Sequence, residues 1–248
     1  MNAPILLLDA GNSRLKWALQ LPDGPIAQGM AYYTDLAAWV ADLAGWPAPL
    51  RVLGCNVAGP AIAEQLAERV APAVRWLKPT AELAGLRNGY LQPGQLGADR
   101  WAAMLGARAL CQGDAIVVMA GTAMTVDALT AEGDFLGGVI VPGFGLMRTA
   151  LAQGTADLGL PDGEAVAFPR ATGQAIVNGA LLALAGTVES MLRRLEAHTG
   201  RPATVLLSGG DAARLAPLLA DTLAERLVAV DNLVLRGLAR LAFAELEP

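Results

Sequence analysis

The chain has 248 residues, a net charge of −5, 54% hydrophobic residues and only 17% charged residues. This length suits one large domain or two small ones, and so apolar a composition excludes a disordered chain. Because the charge is acidic and no basic block occurs, nucleic acid is not an expected partner.

The cysteines and the apolar segments indicate where the protein works. Cys55 and Cys111 are far apart in sequence and form neither a disulfide framework nor a metal cluster, which favours a reducing cytoplasm. No charged segment precedes a short apolar core at the N-terminus, so no signal peptide is expected. Apolar stretches such as residues 179–186 are soon interrupted by charges and are interpreted as too short for a membrane span. We therefore expect a cytoplasmic protein without a membrane partner.

The first part of the chain predicts strands and helices in alternation. Apolar runs bounded by Gly, Asn and Pro mark the strands, and longer periodic segments mark the helices. The expected strands are 5–10, 14–20, 26–33, 51–57 and a short one at 75–79, and the expected helices are 35–44, 60–71 and 99–111. Residues 79–97 are rich in Gly, Pro and polar side chains and predict a loop.

The opening pattern then recurs. The segment AIVVMAGTAMTVDAL lays over ILLLDAGNSRLKWAL as an apolar strand, an Ala-Gly turn and a second strand. A third strand, helices near 146–153 and 171–198, a strand at 205–210, a helix from Asp211, a strand near 227–230 and a last helix follow. Two successive units of this kind predict a duplicated α/β architecture with a boundary near Gly113.

The turn in LLLDAGNSRLKWAL, residues 6–19, suits a bound phosphate. A phosphate needs backbone N–H donors that approach closely, which favours Gly and small residues, and its Mg²⁺ needs one or two carboxylates. These parts lie within eight residues: Asp9, Gly11, Asn12, Ser13 and Lys16. The alternative is an ordinary hairpin turn.

A second glycine hairpin at 121–125 favours the phosphate interpretation, because two facing hairpins can hold a polyphosphate between them. Arg14 and Lys16 share one strand face, so either side chain could be the one that faces phosphate.

The segment YLQPGQLGADRWAAMLGA, residues 90–107, places an acid and an arginine where a glycine-rich loop enters a helix. Asp99 could be no more than a favourable charge at a helix N-terminus. The same pair also suits a substrate site, in which Asp99 accepts a hydroxyl proton and Arg100 binds a carboxylate.

Three other motifs have ordinary structural interpretations when each is taken singly. GTAMTVD offers Thr122, Thr125 and Asp127 on a strand, and GGVIVPG (137–143) and SGGD (208–211) are glycine-framed strand ends. The single histidine, His198, lies near a helix end, which gives little support to Ser-His-Asp or Cys-His catalysis.

Taken in order along the chain, the motifs resemble the type III pantothenate kinases, which include members named Bvg accessory factor. The resemblance is carried by DAGNSRLKW, YLQPGQLGADR, GTAMTVD, GGVIVPG, ATGQAIVNGAL and SGGD.

That family belongs to the acetate-kinase, sugar-kinase, Hsp70 and actin superfamily. The implied fold is therefore α/β, with two duplicated RNase-H-like domains of mixed β-sheets flanked by helices. Residues 1–112 would carry the first phosphate hairpin and the substrate loop, and residues 113–248 the second phosphate hairpin, with the last helix able to return to the first domain.

The resemblance implies an enzyme that phosphorylates pantothenate with ATP to 4′-phosphopantothenate, the first step of coenzyme A biosynthesis. The implied ATP-binding residues are Asp9, Ala10, Gly11, Asn12, Ser13, Arg14, Leu15, Lys16 and Thr122. The implied pantothenate-binding residues are Tyr90, Gly97, Ala98, Asp99, Arg100 and Thr172. Asp99 would accept the proton, and Thr172 would reach the pocket of the partner subunit in a homodimer. Mg²⁺ would accompany ATP near Asp9, with Asp127 as a second candidate ligand.

One position departs from the family pattern. Many members bind potassium or ammonium through an Asp two residues before the glycine of GTA, where this chain has Met119. A thioether is a poor ligand for a hard monovalent cation, so we expect weaker potassium dependence or a site built from other oxygens.

Two other functions are compatible with the motifs. One is another small-molecule kinase of the same superfamily, and the other is a non-catalytic nucleotide-binding regulatory protein.

Overall fold

A computed structural model describes residues 3–244 of the chain, which form two compact units. Among these described residues, the first unit contains those up to Leu110 and those from Asn232 to Ala244. The second unit is the continuous segment Cys111–Asp231.

The strands follow the predicted order. They are Ile5–Ala10 (β1), Leu15–Leu21 (β2), Gly24–Ala31 (β3), Arg51–Asn56 (β4), Val74–Trp76 (β5), Glu82–Leu83 (β6), Leu86–Asn88 (β7), Ala115–Ala120 (β8), Ala123–Leu129 (β9), Asp134–Pro142 (β10), Thr204–Ser208 (β11) and Leu227–Ala229 (β12).

The helices also match the predicted elements. They are Leu36–Leu43 (α1), Pro60–Ala67 (α2), Ala98–Leu110 (α3), Phe144–Gly154 (α4), Thr172–Thr199 (α5), Ala212–Leu223 (α6) and Leu233–Ala244 (α7). Local sequence explains several ends: Pro60 occupies the first turn of α2, and Gly200 ends α5 with φ near 69°, which favours glycine.

The two units repeat one sheet topology. The sheet of the first unit has the order β3-β2-β1-β4-β5, and the second unit has β10-β9-β8-β11-β12. In each, three strands form an antiparallel meander, and the first strand of the meander pairs in parallel with the fourth. The predicted duplication and the predicted mixed-sheet α/β class are therefore confirmed.

The segment 79–97 is more regular than the sequence predicted. It contains the short antiparallel hairpin β6–β7 and a 3₁₀ turn at Pro93–Gln95, so the prediction of a plain loop is wrong in part. The hairpin turns through Ala84 and Gly85, which both have positive φ. Two positive φ values fit a tight hairpin turn, but alanine rarely occupies such a position and gives no sequence signal.

The opposite faces of β1 have different neighbours. Leu6, Leu8 and Ala10 belong to a buried cluster that includes Leu36 of α1 and Leu66 of α2. Helices α3 and α7 pack on β4 and β1 outside this cluster. Because side chains alternate along a strand, Asp9 points away from the α1–α2 cluster.

Helix α5 is the core helix of the second unit and packs on β8 and β9. Its buried side chains in the core cluster are Val177, Ala180, Leu181, Leu184, Ala185, Val188, Leu192 and Leu195. By length and composition, α5 is the one helix among residues 3–244 that could cross a membrane, and 50% of its most apolar stretch is buried in the protein. The apolar run that contains residues 179–186 is therefore longer than the sequence pattern indicated. The contacts of α5 with the core account for its apolar composition.

An ion-pair cluster ties the start of β8 to the end of α5. The buried Asp114 carboxylate accepts hydrogen bonds from Arg201 at 2.7 Å and from the Ala131 N–H at 2.7 Å. Arg201 also binds Glu132 at 2.7 Å. The hydrogen bond from Arg201 lowers the pKa of Asp114 to about 2, so this carboxylate is charged and paired at neutral pH.

Helices α3 and α7 meet with glycine on both sides. A Cβ at Gly237 would overlap the Ala102 carbonyl, and a Cβ at Gly106 would overlap the Leu233 carbonyl. Glycine at both positions therefore lets the two backbones touch, and no larger residue fits without separating the helices.

Substitution of Gly237 by Ala is expected to lower the free energy of unfolding by about 1–3 kcal/mol through overpacking. The matched control is Gly145→Ala in α4, where a Cβ meets nothing within 4 Å. There the better helix propensity of alanine predicts unchanged or slightly higher stability. Denaturant titration measures both, and equal stability of the two variants would contradict the close contact.

Candidate active site

Asp9 lies at the centre of a polar cluster at the end of β1. Across the sheet it is opposite Lys16 of β2 on one side and Cys55 of β4 on the other. Asp9 is 7% exposed, and the Cys55 thiol donates a hydrogen bond to its Oδ1 at 3.5 Å. Strand pairing therefore places a carboxylate, the ammonium group of a lysine and a thiol side by side.

Burial changes the ionisation of Asp9. Desolvation raises its pKa to about 6, against the lowering effect of Lys16 and with a further raising effect of the Asp99 carboxylate. Asp9 and Asp99 are thus close enough to interact electrostatically within the first unit. Two partly desolvated carboxylates of like charge favour binding of a cation.

The turn after Asp9 is fixed by hydrogen bonds to its backbone. The Gly11 N–H donates to the Arg14 carbonyl at 3.2 Å, and the Val57 N–H donates to the Ala10 carbonyl at 2.9 Å. The Tyr33 hydroxyl donates to the Gly11 carbonyl at 2.5 Å. Asn12 and Ser13, between these anchors, are exposed, while Ala10 and Leu15 are buried on either side.

The structure separates the two basic residues of this hairpin. Lys16 is the direct strand partner of Asp9 and lowers its pKa. The Arg14 guanidinium instead donates to the Met30 sulfur at 3.0 Å. Lys16 is therefore the cation beside Asp9. Which of the two side chains faces phosphate stays a prediction.

Asp99 and Arg100 lie in the first turn of α3. Asp99 Oδ1 accepts the Arg100 N–H at 2.8 Å, and a Cβ at Gly97 would lie 2.6 Å from that oxygen. Glycine at 97 thus leaves room for the carboxylate. Burial raises the pKa of Asp99, partly opposed by the Arg100 backbone and charge. Arg100 is 4% exposed and donates to the Tyr90 hydroxyl at 2.7 Å, which joins Tyr90 to the same group.

The second unit holds the other predicted ATP residue. Thr122 is exposed in the β8–β9 hairpin, and its carbonyl accepts the Gly143 N–H at 2.9 Å. A Cβ at Gly143 would overlap the Gly121 and Thr122 carbonyls, and one at Gly209 would overlap Ala120. Glycines at the ends of β10 and β11 therefore allow close packing around this hairpin.

Met119 occupies in β8 the place that Asp9 occupies in β1. Its strand partners are Thr125 and Ser208, both buried, and neither hydroxyl has a hydrogen-bond partner among the described residues. A thioether at this position is a poor ligand for a hard monovalent cation. The two hydroxyls are the oxygens that stand next to Met119 across the strands.

The remaining predicted residues lie elsewhere in the second unit. Asp127 is fully buried in β9, and Thr172 is the exposed first residue of α5. The loop before Thr172 is held by Asn178, which binds the Val166 N–H and the Glu164 carbonyl. In the described part of the chain, no group of three or more His, Cys, Asp and Glu residues could hold a metal ion by itself.

Sequence reasoning missed Cys55 and Tyr33. The sequence analysis placed Cys55 only outside any disulfide or metal cluster, because its position beside Asp9 depends on the parallel pairing of β4 with β1. Tyr33 gave no signal, because its contact with Gly11 depends on how the chain turns after β3.

Solved structures show what class of protein this architecture defines. A Baf-family protein from Campylobacter jejuni, described as a transcriptional activator, has a TM-score of 0.66 at 19% identity, with 98% of this chain and 100% of that one covered. Component A of the (R)-2-hydroxyglutaryl-CoA dehydratase from Acidaminococcus fermentans has a TM-score of 0.57 at 13% identity, with 98% and 97% covered. The duplicated sheets therefore place the chain in the fold class of these two proteins, an α/β fold with two mixed sheets flanked by helices.

Sequence comparison specifies the family. The family model for type III pantothenate kinase matches residues 5–194. The type III pantothenate kinase of Chromobacterium violaceum is 49% identical over 238 residues, which cover 96% of this chain and 98% of that one. That of Laribacter hongkongensis is 47% identical over 240 residues, with the same coverage. The chain belongs to the type III pantothenate kinase family.

The raised pKa of Asp9 predicts a stability effect that depends on pH. Between pH 3.8 and about 6 the unfolded state has released the proton that the folded state still binds, so stability falls as pH rises. Asp9→Asn removes this cost, and its advantage over the wild type should grow through that interval to at most about 3 kcal/mol.

Asp114→Asn is the control of opposite sign. Because the pKa of Asp114 is lowered, this variant should be less stable than the wild type at neutral pH. As pH falls from 3.8 toward about 2, the wild type loses this stabilisation and the difference between the two proteins should shrink. Denaturant titrations with a chelator of divalent cations measure both. An Asp9→Asn variant less stable than the wild type at neutral pH would contradict the burial cost.

Proposed function

We propose that the protein is an ATP-dependent pantothenate kinase in which Asp99 accepts the proton of the substrate hydroxyl. The observation that carries the role of Asp99 is its position in the first turn of α3, electrostatically coupled to Asp9 at the end of the phosphate hairpin. A hydroxyl that transfers its proton to Asp99 attacks the terminal phosphorus of ATP, and the bond from that phosphorus to ADP breaks. Since phosphoryl transfer depends mainly on positioning and charge, a carboxylate is a sufficient base.

Pantothenate has a primary hydroxyl and a carboxylate, which are the two groups that Asp99 and Arg100 in the first turn of α3 suit. In the proposal Asp99 receives the hydroxyl, and Arg100 pairs with the carboxylate in bidentate fashion. Tyr90 orients the Arg100 guanidinium through its hydroxyl, and Gly97 and Ala98 provide the close backbone approach. The raised pKa of Asp99 supports its role, because a base works best with a pKa closer to neutral pH.

The phosphate side of the reaction is assigned to the hairpin Asp9–Lys16 and to Thr122. The exposed residues Asn12 and Ser13 suit contact with phosphate oxygens, and Lys16 adds a positive charge beside Asp9. Mg²⁺ fits the carboxylate of Asp9, and when bound with ATP it would neutralise phosphate charge.

We also assign the protein to the cytoplasm as a homodimer, with the substrate pocket completed by Thr172 of the partner subunit. Its exposed place at the start of α5 supports this role. Exposed residues follow it at helical spacing along one face of α5: Ala175, Gly179, Leu182, Ala183 and Gly186. Such a face suits contact with a second helix, and the mass of the protein in solution tests the dimer.

Asp99→Asn should lower kcat/KM for pantothenate about 10²–10⁴-fold, because the amide cannot accept the proton. Asp221→Asn, an exposed position in α6, is the matched control and should retain full rate. A coupled assay of ADP release with pantothenate, sugars and acetate measures this loss and the substrate class together. A wild type that makes no phosphopantothenate would refute the proposed function, and full activity of Asp99→Asn would remove Asp99 as the base.

Met119 predicts weak dependence on potassium. Wild-type rates with and without potassium should be similar, whereas Met119→Asp should acquire activation by potassium, because it supplies a carboxylate between the Thr125 and Ser208 hydroxyls. Rate measurements in potassium and in a large organic cation test both proteins. Strong activation of the wild type would contradict weak dependence on potassium and would favour the alternative, a site built from those hydroxyls.

A further inference from the structure

Tyr33 connects the core of the first unit to the phosphate hairpin. It lies in a 3₁₀ turn directly after β3, and its half-buried ring packs against the core cluster of that unit. Its hydroxyl donates to the Gly11 carbonyl at 2.5 Å, across 22 positions of sequence. The turn of the β1–β2 hairpin is thus held by a residue that belongs to neither of its two strands.

Peptide geometry gives this bond a direction. Because residue 12 is not proline, the Gly11–Asn12 peptide is trans. In a trans peptide the C=O and the N–H point in opposite directions. Since Tyr33 holds the Gly11 carbonyl, the Asn12 N–H points away from Tyr33, and Asn12 is exposed.

The neighbouring carbonyl is held in a similar way. The Ala10 carbonyl accepts the Val57 N–H at 2.9 Å. Two successive carbonyl dipoles are therefore occupied by protein donors just before the exposed part of the turn. A carbonyl oxygen turned toward a phosphate would repel it, whereas an N–H in the same place attracts it.

The Tyr33 hydroxyl remains a hydrogen-bond donor at neutral pH. Burial, together with the neighbouring Asp9 carboxylate, raises the pKa of Tyr33 above its usual range. The hydroxyl therefore keeps its proton, and a carbonyl oxygen is an acceptor that it can bind at neutral pH.

We propose that Tyr33 is a positioning residue for nucleotide binding, which fixes the Gly11–Asn12 peptide so that the Asn12 N–H faces the phosphate chain. The inference rests on the proposed function for the identity of the nucleotide, ATP, and it extends that function to a residue outside the hairpin. Tyr33 touches no reacting atom in this role.

The test compares Tyr33→Phe with Tyr32→Phe, its exposed neighbour in sequence. Phenylalanine keeps the packed ring and removes one hydroxyl, so folding should be retained. Loss of the hydrogen bond should raise the dissociation constant for ATP about 3–10-fold, while that for adenosine, which has no phosphate, stays unchanged. The KM for pantothenate should not change, and Tyr32→Phe should match the wild type in every measurement.

Calorimetric titration with ATP and with adenosine provides the readout without turnover. Unchanged ATP affinity in Tyr33→Phe, or an equal loss for adenosine, would overturn the role of Tyr33. A wild type that binds ATP without phosphorylating pantothenate would refute the proposed function and still leave the Tyr33 comparison valid. A wild type that does not bind ATP would overturn both.

A double-mutant cycle identifies the donor itself. Asn12→Pro removes the N–H at that position and should weaken ATP binding. If Tyr33 acts through this N–H, Tyr33→Phe should cause little further loss in the Asn12→Pro background. Fully additive losses would show that Tyr33 does not act through Asn12.

Discussion

The backbone contact of α3 with α7 sets the position of the candidate catalytic acid. Gly106 and Gly237 bring the two helices together without side chains between them, and α7 packs in turn on β1. The first turn of α3 carries Asp99, and the end of β1 carries Asp9. The Arg240 side chain of α7 also donates to the Leu105 carbonyl of α3 at 3.2 Å. A small separation of the helices would therefore move one carboxylate relative to the other.

The site is built at the expense of local stability. Asp9 is desolvated near a second carboxylate and a neutral thiol, and Lys16 compensates only in part. Elsewhere the fold treats buried acids differently, since Asp114 is paired with Arg201 and has a lowered pKa. The contrast fits a general pattern in which binding sites keep charges unsatisfied until a ligand supplies the missing partner.

Sequence predicted the elements and the duplication well, because apolar runs separated by Gly and Asn turns define strands such as β1 and β8 locally. The placement of Asp99 at a helix start was likewise readable from its neighbours. Contacts between segments distant in sequence were not. Tyr33 reaches Gly11 only through the path of the chain after β3, and the place of Lys16 beside Asp9 needed the strand register. The β6–β7 hairpin was missed because an alanine adopts positive φ in its turn.

The division of the chain into units has a consequence for biosynthesis. The second unit is continuous, whereas the first needs α7, which the ribosome makes after the whole of Cys111–Asp231. During translation, the second unit can therefore fold while the face of α3 around Gly106 still awaits its partner helix. Asp9 and Asp99 therefore acquire their final surroundings only after α7 has been made.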